Sequence, residues 1–340
     1  MEPPPTPYTE PKRRVIWPWV LLGIVLLGIG FLVMIGLAFS AAMESGLSQQ
    51  GERRTVLDDA DDEQGVFVEI PVEGVIIDAK TTGVNPVVWL STSLKRAAKE
   101  KKLKGILLRV NSPGGGIRAS AVMLKALREF KQEHKVPIVV WMKDVAASGG
   151  YYVSMNSDWI VAHEDTVTAS IGVIWNTMNW EVLMKEKIGV RFNPVKSAPM
   201  KDIGSADRAM TEKERALIQS FVDGAFDEFV RIVVKGRAGK GQKPVTNESV
   251  RALESTILNG RRALAEGLVD QLGYRSDAIA KLKQLAGIER ADVVEFKRPQ
   301  SLMEIMMSAQ AETTDPLSAE LARLSFLYSE GPPLLVLWER

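Results

Sequence analysis

The 340-residue chain contains no cysteine, and that one absence removes several chemistries. A disulfide framework, a zinc ribbon, an iron–sulfur cluster and a cysteine nucleophile are all excluded. An oxidising compartment remains permitted, because no thiol is at risk there. Histidine is scarce, with His134 and His163 alone, which argues against a His-rich metal site. Excess charge is lacking as well: 43 basic against 42 acidic side chains leave a net +1, no chain-wide positive field to hold nucleic acid. At 46% hydrophobic and 25% charged residues, neither wholesale disorder nor a collagen-like repeat fits.

Long apolar runs are confined to one place. From Val15 to Met43 there are 29 residues without a charge, and about 20 suffice to span a bilayer. Lys12-Arg13-Arg14 precede the run, and Trp17 and Trp19 sit where interfacial aromatics belong. The positive-inside rule then predicts residues 1–14 in the cytoplasm, a transmembrane anchor at 15–43 and an exported remainder. A cleaved signal peptide is the alternative, given the small residues Ser40-Ala41-Ala42. Its apolar core would be only about 7–15 residues long, so the run favours an uncleaved single-pass helix.

Residues 44–64 are polar and acidic (Asp58-Asp59-Ala60-Asp61-Asp62-Glu63), which predicts a tether between membrane and domain. Beyond it, short β-branched runs alternate with amphipathic ones. Strands are expected at Val66–Ile70, Ile106–Val110, Ile138–Met142 and Trp159–Ala162, with helices at Ser91–Lys104 and Arg118–His134. Strands separated by helices make an α/β fold. The basic cluster Lys95–Lys104 is expected on a solvated helix face opposite Leu94, Ala98 and Leu103. A Thr-x-x-Glu capping box at Thr211–Glu214 opens a long helix, whose stripe Leu217, Phe221, Ala225, Phe229 is expected in the core. Met303, Met306 and Met307 suggest a short packing helix, and Pro333–Trp338 a last strand or a segment in a neighbour's groove.

Three segments carry chemistry. Asn111-Ser112-Pro113-Gly114-Gly115-Gly116 joins a strand to a helix, and its glycines permit close backbone approach to an anion or oxyanion. It lacks the Gly-Lys-Ser/Thr ending of a phosphate loop. Ala146-Ala147-Ser148-Gly149-Gly150 would expose a serine hydroxyl at a helix start, as a nucleophile needs, although a plain N-cap serine has the same local pattern. The base for such a serine is open between His163, beside Glu164 and Asp165, and Lys201, which follows apolar and small residues and would serve once desolvated. His134 lies among charged residues and is expected in solvent.

Taken in order, Asn-Ser-Pro-Gly-Gly, Ala-Ala-Ser-Gly-Gly-Tyr-Tyr, Ser170-Ile-Gly-Val and Lys201-Asp-Ile-Gly-Ser with Arg208 and Met210-Thr211 resemble the signal peptide peptidase A family, bacterial membrane-anchored Ser-Lys peptidases. The likeness runs from about Val66 to Gly273. It implies Ser148 as nucleophile and Lys201, 53 residues later, as general base. Ser170 would hold the lysine amine, and the oxyanion hole would be formed by Gly114 with Gly149. It implies a Clp/crotonase-like fold of repeated ββα units over residues 65–285, followed by a C-terminal extension at 286–340. Because a single copy of the repeat holds both dyad residues, it also implies a homo-oligomeric ring in which Lys201 of one chain serves Ser148 of the next. The expected substrates are cleaved signal peptides and similar apolar peptides at a bacterial inner membrane, with the domain on the extracytoplasmic side and no metal or organic cofactor. Rival expectations are an inactive scaffold or narrow-specificity regulatory protease of the same fold, and a crotonase-like acyl-CoA enzyme.

Overall fold

Strand residues 67, 107, 139 and 161 and strand residues 68, 106, 140 and 160 are all buried, on opposite faces of the same sheet. Such uninterrupted burial belongs to a parallel sheet covered on both sides. The computed structural model describes residues 54–60, 64–78 and 85–296, together with Met34, which is helical. The expected anchor otherwise lies outside these residues, as do the Met303–Met307 and Pro333–Trp338 segments. Among the described residues, no helix is long and apolar enough to cross a membrane.

The strands are β1 (Arg54–Asp58), β2 (Val66–Glu73), β3 (Leu103–Ser112), β4 (Ile138–Ala147), β5 (Trp159–Ala162), β6 (Val167–Ala169), β7 (Ile257–Leu258), β8 (Gln271–Leu272) and β9 (Asp292–Phe296). The helices are α1 (Pro86–Ala97), α2 (Ile117–His134), α3 (Gly149–Val153), α4 (Glu212–Arg237), α5 (Asn247–Arg251), α6 (Gly260–Ala265) and α7 (Arg275–Ala286). The sheet order is β1-β9-β2-β3-β4-β5-β8, with β6 pairing the end of β4 and β7 pairing β6. From β9 to β8 every neighbour is parallel; β1 runs antiparallel to β9 and β7 to β6. This is the mixed α/β architecture expected.

One face packs Val68, Ile70, Ile106, Leu108, Val140 and Met142 against α1 and α2. The other packs Phe67, Leu107, Val139, Val161 and Val293 against Ala278 and Leu282 of α7. At about 25 cal/mol per Å² of apolar surface, each fully buried Leu, Ile or Phe contributes roughly 1.5–3 kcal/mol.

Four boundaries differ from expectation, each for a visible reason. Helix α1 ends at Ala97, so residues 98–102 of the expected helix are a turn and Leu103–Lys104 already belong to β3. Part of the acidic segment read as a tether is strand: Arg54–Asp58 pair with β9, and Arg275 holds Asp58 at 2.7 Å. The sheet also continues past residue 285, because β9 inserts between β1 and β2. Finally, Leu217 and Phe221 are not core. Phe221 is 61% exposed, while Phe229, two turns on, is 5% exposed. The first half of α4 projects beyond the sheet, and only its second half (Phe229, Val230, Ile232, Val233) reaches the core.

Candidate active site

In a parallel sheet the carboxyl ends of the strands open onto loops, where ligands bind. Here the ends of β3, β4 and β6 converge. Ala147 pairs with Ala169, and the Ser148 N–H donates to the Ala169 carbonyl at 2.8 Å, which sets Ser170 beside Ser148. Between β3 and β4 the register shifts just before Ser112, a bulge of the kind that re-aims residues next to sites.

Ser148 stands between the last residue of β4 and the first of α3 with φ +51° and ψ −117°. A residue with a Cβ is strained there by about 1–3 kcal/mol, and a sharp strand-to-helix turn of this kind lifts the nucleophilic serine of α/β-hydrolases. Its side chain caps nothing on α3, which removes the plain N-cap reading of this serine. The strain is shared, since Ala169 and Ser170 also have positive φ, as do Glu254 and Ser255 in the facing loop. The two loops are clasped: Ser170 N–H donates to Thr256 O at 3.2 Å and Ser255 Oγ donates to Ile171 O at 2.9 Å.

The glycine turn lies directly against the serine. A Cβ placed on Gly114 would fall 2.5 Å from Gly149 N and 2.8 Å from Ser148 Cβ, at a φ of +101°. The Gly114 N–H, the expected oxyanion donor, is instead committed to Ser112 Oγ at 3.1 Å. Ser112 is fully buried and in turn donates to Gly74 O at 2.6 Å. Gly115 N packs against Gly149, 3.1 Å from where a Cβ on Gly149 would be. Among the described residues the Gly115 and Gly149 N–H groups have no hydrogen-bond partner. Two free donors beside a serine hydroxyl suit a developing oxyanion.

Helix α3 is pinned from behind. Tyr151 is fully buried, and burial pushes its phenol well above the usual range. Its hydroxyl donates to Leu268 O at 2.7 Å. The Gly267–Asp270 segment is held by buried Arg237, through Gly267 O at 2.9 Å and both Asp270 oxygens at 2.6 and 3.0 Å. No local sequence signal joins these bonded pairs, which are 30 to 117 positions apart along the chain. Tyr151→Phe leaves Leu268 O unsatisfied in the interior, so it is expected to cost about 1–3 kcal/mol. Urea unfolding checks this, and an unchanged midpoint would contradict the pinning role.

His163 is not directed at the serine. Its Nδ1 accepts the Asp165 N–H at 3.2 Å, its ring packs on Tyr274 at 5.2 Å, and Glu164 is paired with Arg261. These bonds make a surface turn. His134 packs on Phe130 at the end of α2. Lys201 lies on the short helical turn Pro199–Asp202 and is exposed; among the described residues its ammonium makes no hydrogen bond or ion pair, and none with Ser148. Within one chain, Ser148, Ser170, Gly114 and Gly149 come together and Lys201 does not join them.

Lys201 belongs to an excursion from 173 to 211 that leaves the core after Ile171 and contains no buried residue. It is tied to itself by Trp180 N–H to Ala206 O at 2.6 Å and Ala209 N–H to Glu181 Oε2 at 3.1 Å.

The model for peptidase family S49 matches residues 130–289, which include Ser148, Ser170 and Lys201. A protein from Enterococcus faecium named "Putative signal peptide peptidase SppA" is 37% identical over 301 residues, covering 84% of this chain and 85% of that one. "Putative protease MJ0651" from Methanocaldococcus jannaschii is 36% identical over 198 residues, 58% of this chain and 61% of its own. "Protease 4" from Salmonella typhi is 31% identical over 249 residues, of which this chain spans 39% of the length. A serine raised on a strained turn beside free backbone donors, carried through a sequence that aligns along most of its length with such a relative, places the chain in peptidase family S49, the signal peptide peptidase A family of serine-type peptidases.

Proposed function

We propose that the protein is a membrane-anchored endopeptidase in which Ser148 attacks the peptide and Lys201 of a neighbouring subunit is the base. The observation that carries this reading is the strained Ser148 turn with the unpartnered Gly149 and Gly115 N–H groups beside it. Gly115 takes the donor role expected of Gly114, whose N–H is occupied by Ser112. Neutral Lys201 takes the Ser148 proton as Oγ forms a bond to the substrate carbonyl carbon. The tetrahedral oxyanion rests on the two N–H groups. Collapse breaks the C–N bond, and the lysine returns its proton to the leaving amine. Water then attacks the acyl ester with the same lysine accepting its proton, releasing the second product as an acid and restoring Ser148. A serine hydroxyl at Ser170 orients the amine without adding a charge that would favour its protonated form.

Two features support a ring on a Clp/crotonase-like scaffold. Among the described residues Lys201 is unpartnered, and the excursion that carries it exposes Trp175, Trp180 and Phe192, as α4 exposes Phe221. Apolar exposure on that scale marks an interaction surface. The uncharged run at 15–43 supports an anchor in the bacterial inner membrane with the domain on the extracytoplasmic side. A site held near the bilayer suits remnant signal peptides and similar apolar peptides.

The test uses the full chain in detergent with a fluorogenic apolar peptide. Ser148→Ala and Lys201→Ala are each expected to be inactive, and a subunit-exchanged mixture to regain about one quarter of wild-type activity. That is the share of interfaces in a one-to-one ring where an intact serine meets an intact lysine. Absence of recovery, with exchange verified by native mass spectrometry, would remove the shared site.

A further inference from the structure

The turn that presents Lys201 is built around a guanidinium. Arg208 reaches Asp202 through Nε at 3.0 Å and Nη2 at 2.7 Å. It reaches Glu214 through Nη1 at 2.9 Å and Nη2 at 2.5 Å. Two further bonds go to the Asp202 carbonyl at 3.3 Å and the Ala209 carbonyl at 3.0 Å. Lys196 Nζ adds bonds to both Asp202 oxygens at 2.9 Å. Glu214 is further occupied by the Thr211 N–H at 2.8 Å and hydroxyl at 3.0 Å. The Asp202 side chain is 14% exposed and that of Glu214 2%. Pairs this withdrawn from water are less screened by salt than surface pairs. The remaining acids near the turn are also engaged, Asp207 with the Ser205 hydroxyl and Glu181 with the Ala209 N–H.

Asp202 is the residue next to Lys201 in the chain, and a free carboxylate there is an available counter-ion for a lysine ammonium. A lysine that pairs with a carboxylate keeps its proton and cannot act as a base. Both Asp202 oxygens are saturated by Arg208 and Lys196, while among the described residues the Lys201 ammonium is unpaired. We propose that Arg208 is a positioning residue that sequesters Asp202 from Lys201, so that the amine stays free to serve as the base. The role rests on the reading of Lys201 as that base. The electrostatics agree with it: the hydrogen bonds of Arg208, then of Lys196, hold the Asp202 carboxyl far below the usual range. Those of Arg208 and of the Thr211 N–H hold Glu214 down to about 2. Both carboxylates are therefore charged throughout the working range, and only their partners keep them from Lys201. The local charges balance as two cations, Arg208 and Lys196, against two anions, Asp202 and Glu214.

Removing the guanidinium leaves two carboxylates with one cation. Arg208→Gln is expected to move the rising limb of the activity-against-pH profile alkaline by about one unit. An opposite charge at close range shifts a titration by roughly 1–3 units. Activity then falls about tenfold at neutral pH and approaches the wild-type plateau at high pH. Adding Asp202→Asn in the double variant removes the freed acid and is expected to return the profile toward wild type. A merely structural role for Arg208 predicts the opposite pattern, an equal loss at every pH and a double variant no better than the single. Either result overturns the proposal. Where Arg208→Gln fails to fold, Asp202→Asn alone decides: with Arg208 and Lys196 left unbalanced beside Lys201, its profile is expected to move acidic, and an unmoved or alkaline profile is the overturning result. Lys201→Ala is run alongside. If it retains activity, the base assignment itself fails. If it is inactive while Arg208→Gln behaves as wild type, the dyad stands and only the sequestering role is lost.

Discussion

Ser148→Gly is expected to abolish peptide hydrolysis and, at the same time, to make the domain more stable. The loss follows from removing the proposed nucleophile, on the order of 10⁶-fold in kcat for a serine hydrolase. The gain follows from the backbone. At φ +51° and ψ −117° Ser148 carries the cost of a Cβ in a region that glycine enters freely, about 1–3 kcal/mol. Glycine's extra freedom in the unfolded chain offsets roughly 0.5–1 kcal/mol of that. A net gain of about 1 kcal/mol corresponds to a melting midpoint about 2–4 °C higher for a domain of this size. Ser148→Ala keeps the Cβ and the strain, so it is expected to be equally inactive with an unchanged midpoint. Calorimetry on the three proteins separates the two effects. A glycine variant no more stable than the alanine variant would mean that the turn is not under strain. Function, on this account, is what maintains a backbone conformation that folding alone would avoid.

The motif residues of this candidate site were legible in the sequence, and the geometry that brings some of them together was not. The order of the Gly114, Ser148, Ser170 and Lys201 segments identified the family, because each segment needs particular small or polar residues at fixed offsets. Periodicity located β4, β5 and α2 to within a few residues, since burial on both sheet faces leaves continuous apolar runs. It misplaced Leu217 and Phe221, because an apolar stripe on a helix is the same whether it meets the domain's own sheet or another chain. The two-residue strands β7 and β8 are too short to have a period at all. Strand β1 was hidden in an acidic stretch, where an ion pair from Asp58 to Arg275, 217 residues away, anchors it. That the Gly114 N–H is occupied turned on its direction toward Ser112 Oγ. The engagement of His163 and the freedom of Lys201 likewise depend on bonds at Asp165 and Asp202 that residue order cannot convey.

Gly114→Ala is expected to lower kcat by at least 10²–10³-fold, the effect of losing one oxyanion donor. The three atoms nearest the added Cβ, Gly149 N at 2.5 Å, Ser148 Cβ at 2.8 Å and Ala147 O at 3.0 Å, belong to the backbone or to the nucleophile itself. None is the tip of a flexible side chain that could swing aside, so the turn must move away from α3. Gly115 N moves with it, away from Gly149, so the two free N–H groups are separated. A φ of +101° adds a conformational cost that an alanine meets even in open space. Gly287→Ala isolates that second contribution: its φ is +67° with nothing within 4 Å, at the end of α7. It is expected to cost about 1 kcal/mol of stability and to leave kcat unchanged. Steady-state kinetics on folded, assembled protein compare the two. Wild-type kcat in Gly114→Ala would exclude the 113–116 turn from the oxyanion site, whatever the sequence resemblance. A kcat loss confined to Gly114→Ala, with KM little altered, instead ties the turn to charge that develops only in the transition state, because ground-state binding does not need that oxygen held between two donors.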